Sequence, residues 1–242
     1  MNVIRPLPTV RLTLDRSLMT YRFGAGRPEQ VYPTLWFIEG PRRKIVVDTG
    51  TDAAIARRLG YEAEQIAWPD QALGRLGLSM PDIEVLILTH LHWDHVAFAR
   101  GFTRAKVFVQ RTEYEAALDP HPWLARGYIR ETFHGLPRLE ILDGDAEIDV
   151  GVSVLFTPGH TPGGQSVAVA TEKGRAVISG LCSIKANFFP PPEIAGNLKV
   201  IPPGIHTDVL QAYDSLVRLK ETADLIVPLH DGEYCFKEAI PW

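Results

Sequence analysis

The segment His90-Leu91-His92-Trp93-Asp94-His95 gathers three imidazoles and one carboxylate directly behind the apolar run Ile83-Glu84-Val85-Leu86-Ile87-Leu88. That run is short, rich in β-branched residues and opened by Pro81-Asp82, so it reads as a buried strand. If the chain stays extended for two more residues, His90 and His92 face one side, because side chains alternate along a strand. Asp94 and His95 follow on the turn into a helix and look back at the same place. Groups of this kind converging from fixed backbone suit zinc, and also iron or manganese.

Two further apolar runs end in histidine. Residues 141–156 read as two strands around Asp143-Gly144-Asp145 and Gly151, and they run into Thr157-Pro158-Gly159-His160-Thr161-Pro162-Gly163-Gly164-Gln165-Ser166. His160 therefore stands at a strand end between two Pro-containing turns, on stiff backbone. Later, Leu225-Ile226-Val227-Pro228-Leu229 leads into His230-Asp231-Gly232. His90, His92, Asp94, His95, His160 and His230 are enough for two sites of three ligands each, with positions left for water and substrate. A fourth strand end is acidic: residues 31–39 and 44–47 read as strands joined by Gly40-Pro41-Arg42-Arg43, and the second stops at Asp48. Asp48 is a ligand, a group that orients one, or a turn aspartate bonding nearby amides. Thr51 or Asp52 then caps a helix from Ala53 to Leu59.

Between these landmarks, residues 106–110 read as a strand and Thr112 to Leu118 as a helix start. Residues 119–138 are irregular and aromatic, broken by Pro120, Pro122 and Pro137. With Trp123, Tyr128 and Phe133 they form either a pocket wall or a packed insertion. Residues 167–170 and 176–179 are strands across the hairpin signal Glu172-Lys173-Gly174. The Pro-rich stretch 187–206, which carries Phe188 and Phe189, is expected to be a stiffened surface loop, neither helix nor central strand. His206 at its end either reaches the pocket as a proton donor or extra ligand, or simply starts the next helix. From Thr207 apolar residues recur at helical spacing as far as Lys220.

At 242 residues, with 45% hydrophobic and 22% charged residues, the chain has the composition of one ordered domain spanning 1–242. Its charge of −4, from 25 basic and 29 acidic residues, gives no footprint for nucleic acid and no polybasic membrane anchor. A small-molecule substrate is expected instead. The N-terminus lacks a signal-peptide pattern, no apolar run approaches the about 18 residues of a membrane span, and two cysteines make no disulfide framework. These features point to a cytoplasmic protein, with a homodimer as an open possibility.

Taken together, Val47-Asp48-Thr49-Gly50, the H-x-H-x-D-H run at His90 to His95, Thr157-Pro158-Gly159-His160-Thr161-Pro162-Gly163 and the late His230 resemble the metallo-β-lactamase superfamily over nearly the whole chain. The T-P-G-H-T-P-G-x-Q-S stretch and the terminal His-Asp pair are similar to its N-acyl-homoserine lactonase-like branch. The resemblance implies an α+β fold: a four-layer αβ/βα sandwich of two mixed sheets with helices outside and a dinuclear site at one edge. It implies His90, His92 and His160 on one zinc, and Asp94, His95 and His230 on a second, with manganese or iron as alternatives. Where the family usually places a bridging aspartate, this chain reads Gly180-Leu181-Cys182. Cys182 is then a substitute thiolate ligand or a small buried hydrophobe. The catalytic tyrosine of the lactonases falls on Ser183. The chemistry expected is hydrolysis of a carbonyl compound by a metal-bound hydroxide, with Asp94 orienting it and passing a proton to the leaving group. A lactone leads, thioesters and cyclic amides follow, and a metal-binding module without turnover is the rival. Tyr128, Phe188 and His206 are the pocket candidates.

Overall fold

We describe residues 1–241 of a computed structural model of the chain. Six strands form the first sheet, in the order β1 (Val3–Pro8), β4 (Thr34–Glu39), β5 (Ile45–Val47), β7 (Val85–Ile87), β8 (Lys106–Gln110) and β9 (Leu139–Leu142). The β1–β4–β5 pairs are antiparallel and β5–β7–β8–β9 run parallel. A second mixed sheet follows chain order: β10 (Ala146–Asp149), β11 (Val152–Phe156), β12 (Gln165–Thr171), β13 (Gly174–Ile178) and β14 (Leu225–Val227), the last pair parallel. A small third sheet, β3 (Pro28–Val31), β2 (Val10–Asp15) and β6 (Glu62–Gln65), stands beside them.

The helices are α1 (Ala53–Arg58), α2 (Pro69–Gly74), α3 (Trp93–Val96), α4 (Arg111–Leu118), α5 (Arg130–Phe133), α6 (Lys185–Phe188), α7 (Pro192–Ala195), α8 (Val209–Thr222) and α9 (Gly232–Cys235). Burial explains the layering. Trp36, Ile38, Val47 and Ile87 from the first sheet meet Val154, Val167, Ile178 and Val227 from the second in a core between them. On the outer face of the first sheet, Leu86, Val107 and Val109 pack with Leu73 of α2, Ala117 of α4 and Phe133 of α5. The outer face of the second packs Leu155 and Val177 under Leu216 and Leu219 of α8. Apolar residues on both faces of each sheet therefore require helices outside and a sheet partner inside, which is the four-layer α+β sandwich expected from the sequence.

Two expectations are corrected. Residues 187–206 are not an open surface loop. They contain α7 and the end of α6, and Val200 and Ile201 are buried. Pro190 and Pro191 lie between these short helices and Pro192 opens α7, where a missing N–H costs nothing. Asn187 ties the segment down, accepting from Ile184 N and donating to Met19 O and Ile201 O, all at 2.8 Å. Phe188 is not a pocket residue: it is fully buried with Leu216, Leu219 and Val200, because α6 turns its ring under α8. Among the described residues, no helix is long and apolar enough to cross a membrane.

Candidate metal centre

The ends of β5, β7, β11, β13 and β14 deliver Asp48, the His90 to His95 elbow, His160, the 180–183 segment and His230 to one edge of the sandwich. One nitrogen each from His90, His92 and His160 lie within 4.8 Å of one another, and so do ligand atoms of His90, Asp94 and His95. His230 joins the second group through Asp94, whose Oδ2 is 3.8 Å from His230 Nε2 and 3.2 Å from His95 Nε2.

Hydrogen bonds fix which nitrogens carry protons. Asp48, buried at the end of β5, has only acceptor oxygens. It takes the Thr89 amide at 2.8 Å on Oδ1, and the Thr89 hydroxyl at 2.7 Å and His95 Nδ1 at 2.8 Å on Oδ2. His95 Nδ1 is therefore the protonated nitrogen. The Thr89 hydroxyl has spent its only hydrogen on Asp48, so at 3.0 Å it accepts from His90 Nδ1–H. His160 Nδ1 donates to Ile205 O at 2.7 Å. As a result the Nε2 lone pairs of His90 and His160 face each other across 3.2 Å inside the protein. His230 Nδ1 is buried without a hydrogen-bond partner, and His95 Nε2 has only Asp94 Oδ2 beside it, at 3.2 Å. Opposed lone pairs at a buried site repel unless a cation lies between them, so the donor set fits a metal ion.

The electrostatics agree. Burial first, and then the neighbouring imidazoles, push His90 and His92 well below the usual histidine range. Burial likewise takes His160 down to about 4 and His230 down to about 3, leaving four neutral imidazoles at pH 7. His95 goes the other way. Its burial acts downward, but the carboxylates of Asp94 and Asp48 outweigh it and raise it to about 10. Without a metal, the proton on His95 is thus the positive charge between two carboxylates. Burial pushes the Asp94 carboxyl up, yet His95, His230 and His92 together hold it below the usual carboxylate range.

One residue that sequence reasoning treated as a plain helix start proves structural to the centre. Glu113, on the first turn of α4 and fully buried, accepts from Leu91 N at 2.9 Å and Gly163 N at 3.1 Å. It ties the loop between His90 and His92 to the loop that follows His160. Gly163 is required for this, since a Cβ there would lie 2.1 Å from the Glu113 backbone nitrogen. Tyr128 stands behind the centre: its ring is 4.9 Å from that of His92 and its hydroxyl points to Glu113 Oε1 at 3.4 Å. It therefore supports His92 instead of lining the pocket.

A cavity of about 410 Å³ opens over His92, Asp94, His160 and His230. One wall is apolar, built by Leu12, Leu14, Leu18, Met19 and Val31. The opposite wall brings Tyr61, Trp123, Leu124 and Arg126, so the 119–138 segment contributes as a pocket wall. His206 lines the cavity as well, with Nδ1 donating to Pro203 O at 2.8 Å and its ring edge-on to Tyr21 at 4.8 Å. Cys182 reaches the cavity, but its sulfur lies 3.6 Å from Met19 Sδ and burial pushes its thiol up, and neither ligand group includes it. Ser183 is turned inward, 3.1 Å from Ser179 Oγ, and accepts from Leu229 N at 3.2 Å.

The family model described as Metallo-beta-lactamase superfamily matches residues 29–230 of this chain. The chain belongs to the metallo-β-lactamase superfamily. Its relatives in that superfamily include the N-acyl homoserine lactonase AiiA of Bacillus thuringiensis subsp. kurstaki, 30% identical over 94% of this chain and 92% of that protein. An N-acyl homoserine lactonase of Bacillus cereus is 31% identical over 89% of this chain and 86% of its own. A solved N-acyl homoserine lactone hydrolase carrying the product N-hexanoyl-L-homoserine at its catalytic metal centre superposes with a TM-score of 0.79 at 29% identity. It covers 96% of this chain and 94% of that one. As a superfamily member with this His/Asp cluster, the chain is a metal-dependent hydrolase.

Proposed function

We propose that this hydrolase opens the ring of a lactone bearing an apolar acyl chain, of the N-acyl homoserine lactone type, using zinc. The carrying observation is the pair of opposed lone pairs on His90 Nε2 and His160 Nε2, 3.2 Å apart at the floor of a cavity with one apolar wall. His90, His92 and His160 would hold one ion, and Asp94, His95 and His230 would hold the second. An ion held there would acidify water near neutral pH and polarise a carbonyl. His95, His230 and His92 hold the Asp94 carboxyl below the usual carboxylate range, so it is ionised. With Oδ2 turned to His95 and His230, Oδ1 would be the atom that accepts a proton from the nucleophilic water and returns it to the leaving ring oxygen. Because His206 Nδ1 donates to Pro203 O, its Nε2 is the ring atom left to accept from a substrate N–H. The wall from Leu12 to Val31 receives the acyl chain and keeps water from it. The relatives named above act on N-acyl homoserine lactones, and both cysteines here are free, which supports a cytoplasmic setting.

The test is a panel of acyl lactones, thioesters and cyclic amides run on chelator-stripped and zinc-reconstituted protein. Zinc-dependent turnover of the lactones above the other classes is expected. Turnover of thioesters or cyclic amides alone would replace the lactone by that class, and turnover of none by the reconstituted protein would leave a metal-binding module.

A further inference from the structure

The segment that follows β13 contributes no carboxylate to the metal centre, and the reason is built into the backbone. A Cβ at Gly180 would lie 1.8 Å from Gln165 O and 2.5 Å from Gln165 C. That carbonyl is not free to move. Gln165 N donates to Thr89 O at 2.8 Å, and its side chain donates to Leu88 O at 2.8 Å and accepts from Gln110 Nε2 at 2.9 Å. The Gly180 amide is itself bonded to Ser166 Oγ at 2.8 Å. Position 180 thus carries no side chain at all, least of all a carboxylate. Leu181 is fully buried in the core under α8. Cys182 faces Met19, its sulfur 3.6 Å from Met19 Sδ, and Ser183 is bonded inward. Among the described residues lining the cavity, Asp94 is the only acidic one.

Charge then separates the two sites. Three imidazoles converging from His90, His92 and His160 would suffice for a first ion. Two divalent ions side by side would bring four positive charges against Asp94 and, acting through His95, Asp48. Asp48 is already shared between Thr89 and His95, and Glu113 is turned away onto the amides of Leu91 and Gly163. No other buried carboxylate faces the pair among the described residues. The cavity above Asp94 has room for a small anion.

We propose that this protein binds one metal ion tightly at His90, His92 and His160, and binds a second tightly at Asp94, His95 and His230 only together with a carboxylate taken from solution. This rests on the ligand assignment made above. The hydroxy acid released by lactone hydrolysis carries such a group, so product and second ion stabilise each other, and by linkage each raises the other's affinity by the same factor.

Isothermal titration of chelator-stripped protein with zinc, in buffer without carboxylates and again with acetate, tests this without reference to activity. In the absence of acetate we expect one tight ion and a second weaker by about 100-fold or more, since loss of even a supporting ligand partner costs 10- to 100-fold in affinity. Acetate should tighten the second ion and leave the first unchanged. Cys182→Asp, which places a carboxylate on the cavity wall, should tighten the second ion without acetate. Two ions of equal affinity in carboxylate-free buffer would overturn the inference while leaving the hydrolase reading intact. A second ion that ignores acetate would overturn it too, whatever the Cys182→Asp protein does. Failure of the stripped wild-type protein to bind any zinc would instead overturn the ligand assignment itself.

Discussion

Asp48 is the group on which the protonation pattern of the whole centre depends, and Asp48→Asn tests that dependence with almost no change of shape. The side-chain amide has two ways to sit. With its oxygen toward Thr89 Oγ1 and His95 Nδ1, both histidine tautomers are preserved, but the amide N–H₂ faces the Thr89 amide, which the carboxylate accepts at 2.8 Å. A buried donor left unpaired costs about 1–3 kcal/mol. In the other orientation the amide nitrogen donates to Thr89 Oγ1, the Thr89 hydroxyl turns to donate to His90 Nδ1, and His95 Nδ1 becomes an acceptor. The proton of His90 then moves to Nε2 and His95 keeps only its proton on Nε2, so both nitrogens that would face the ion are blocked. A metal-free variant takes the second arrangement, and zinc must drive it back to the first. The expected loss in zinc affinity is therefore the same about 1–3 kcal/mol, or roughly 5- to 150-fold. Competition against a chromophoric chelator reads the affinity, and nitrogen-15 spectra of the imidazoles read the tautomers. Unchanged affinity together with Nδ1-protonated His90 and His95 in the metal-free variant would refute the reasoning.

The remaining expectations are simpler. His160 and His230 have folded values of about 4 and about 3 against an ordinary 6.5, so their stabilisation is complete above 6.5 and is lost as pH falls toward those values. His95, raised to about 10, contributes fully below 6.5 and loses its contribution as pH climbs to about 10. Chelator-stripped protein should therefore be most resistant to denaturant near neutrality and weaken on both sides, the acid arm by about 3 kcal/mol for His160 alone; a flat profile from pH 4 to 8 would contradict this. Trp123 is 87% exposed yet lines the cavity, so Trp123→Ala should raise KM for long-chain lactones several-fold and leave the unfolding midpoint within about 0.5 kcal/mol of wild type. His206→Phe keeps the ring against Tyr21 but removes Nε2. It should lower kcat/KM about tenfold, the worth of one hydrogen bond, with Gln at that position recovering part of the loss. Equal rates for the Phe and wild-type proteins would remove His206 from substrate binding.

Much of the centre was legible because its ligands sit at strand ends, where apolar runs stop abruptly on histidine. The helix cap at Asp52, which accepts from Ala54 N at 2.6 Å, and the hairpin pairing Thr171 with Gly174 were readable from local chemistry in the same way. What escaped depends on pairing between distant segments. Val3–Pro8 contains two prolines and carries no strand signal of its own, yet it is an edge strand, where a missing N–H is tolerated. The apolar wall of Leu12 and Leu14 exists only because β2 lies between β3 and the polar strand Glu62–Gln65, which has no apolar run of its own. Glu113 looked like any solvated glutamate opening a helix, and nothing near it in sequence says that it faces Gly163, 50 residues away. Phe188 was misread because its prolines suggested surface, whereas Asn187 beside it anchors the turn and sends the ring into the core.

The most direct test of the account is proton release during ring opening of an N-acyl homoserine lactone, followed by pH-stat on one preparation before chelation, after chelation and after zinc is restored, with His92→Ala alongside. The account predicts turnover that vanishes with the metal, returns with zinc and is absent in His92→Ala. Undiminished ring opening by the metal-free protein or by the His92→Ala variant would contradict it.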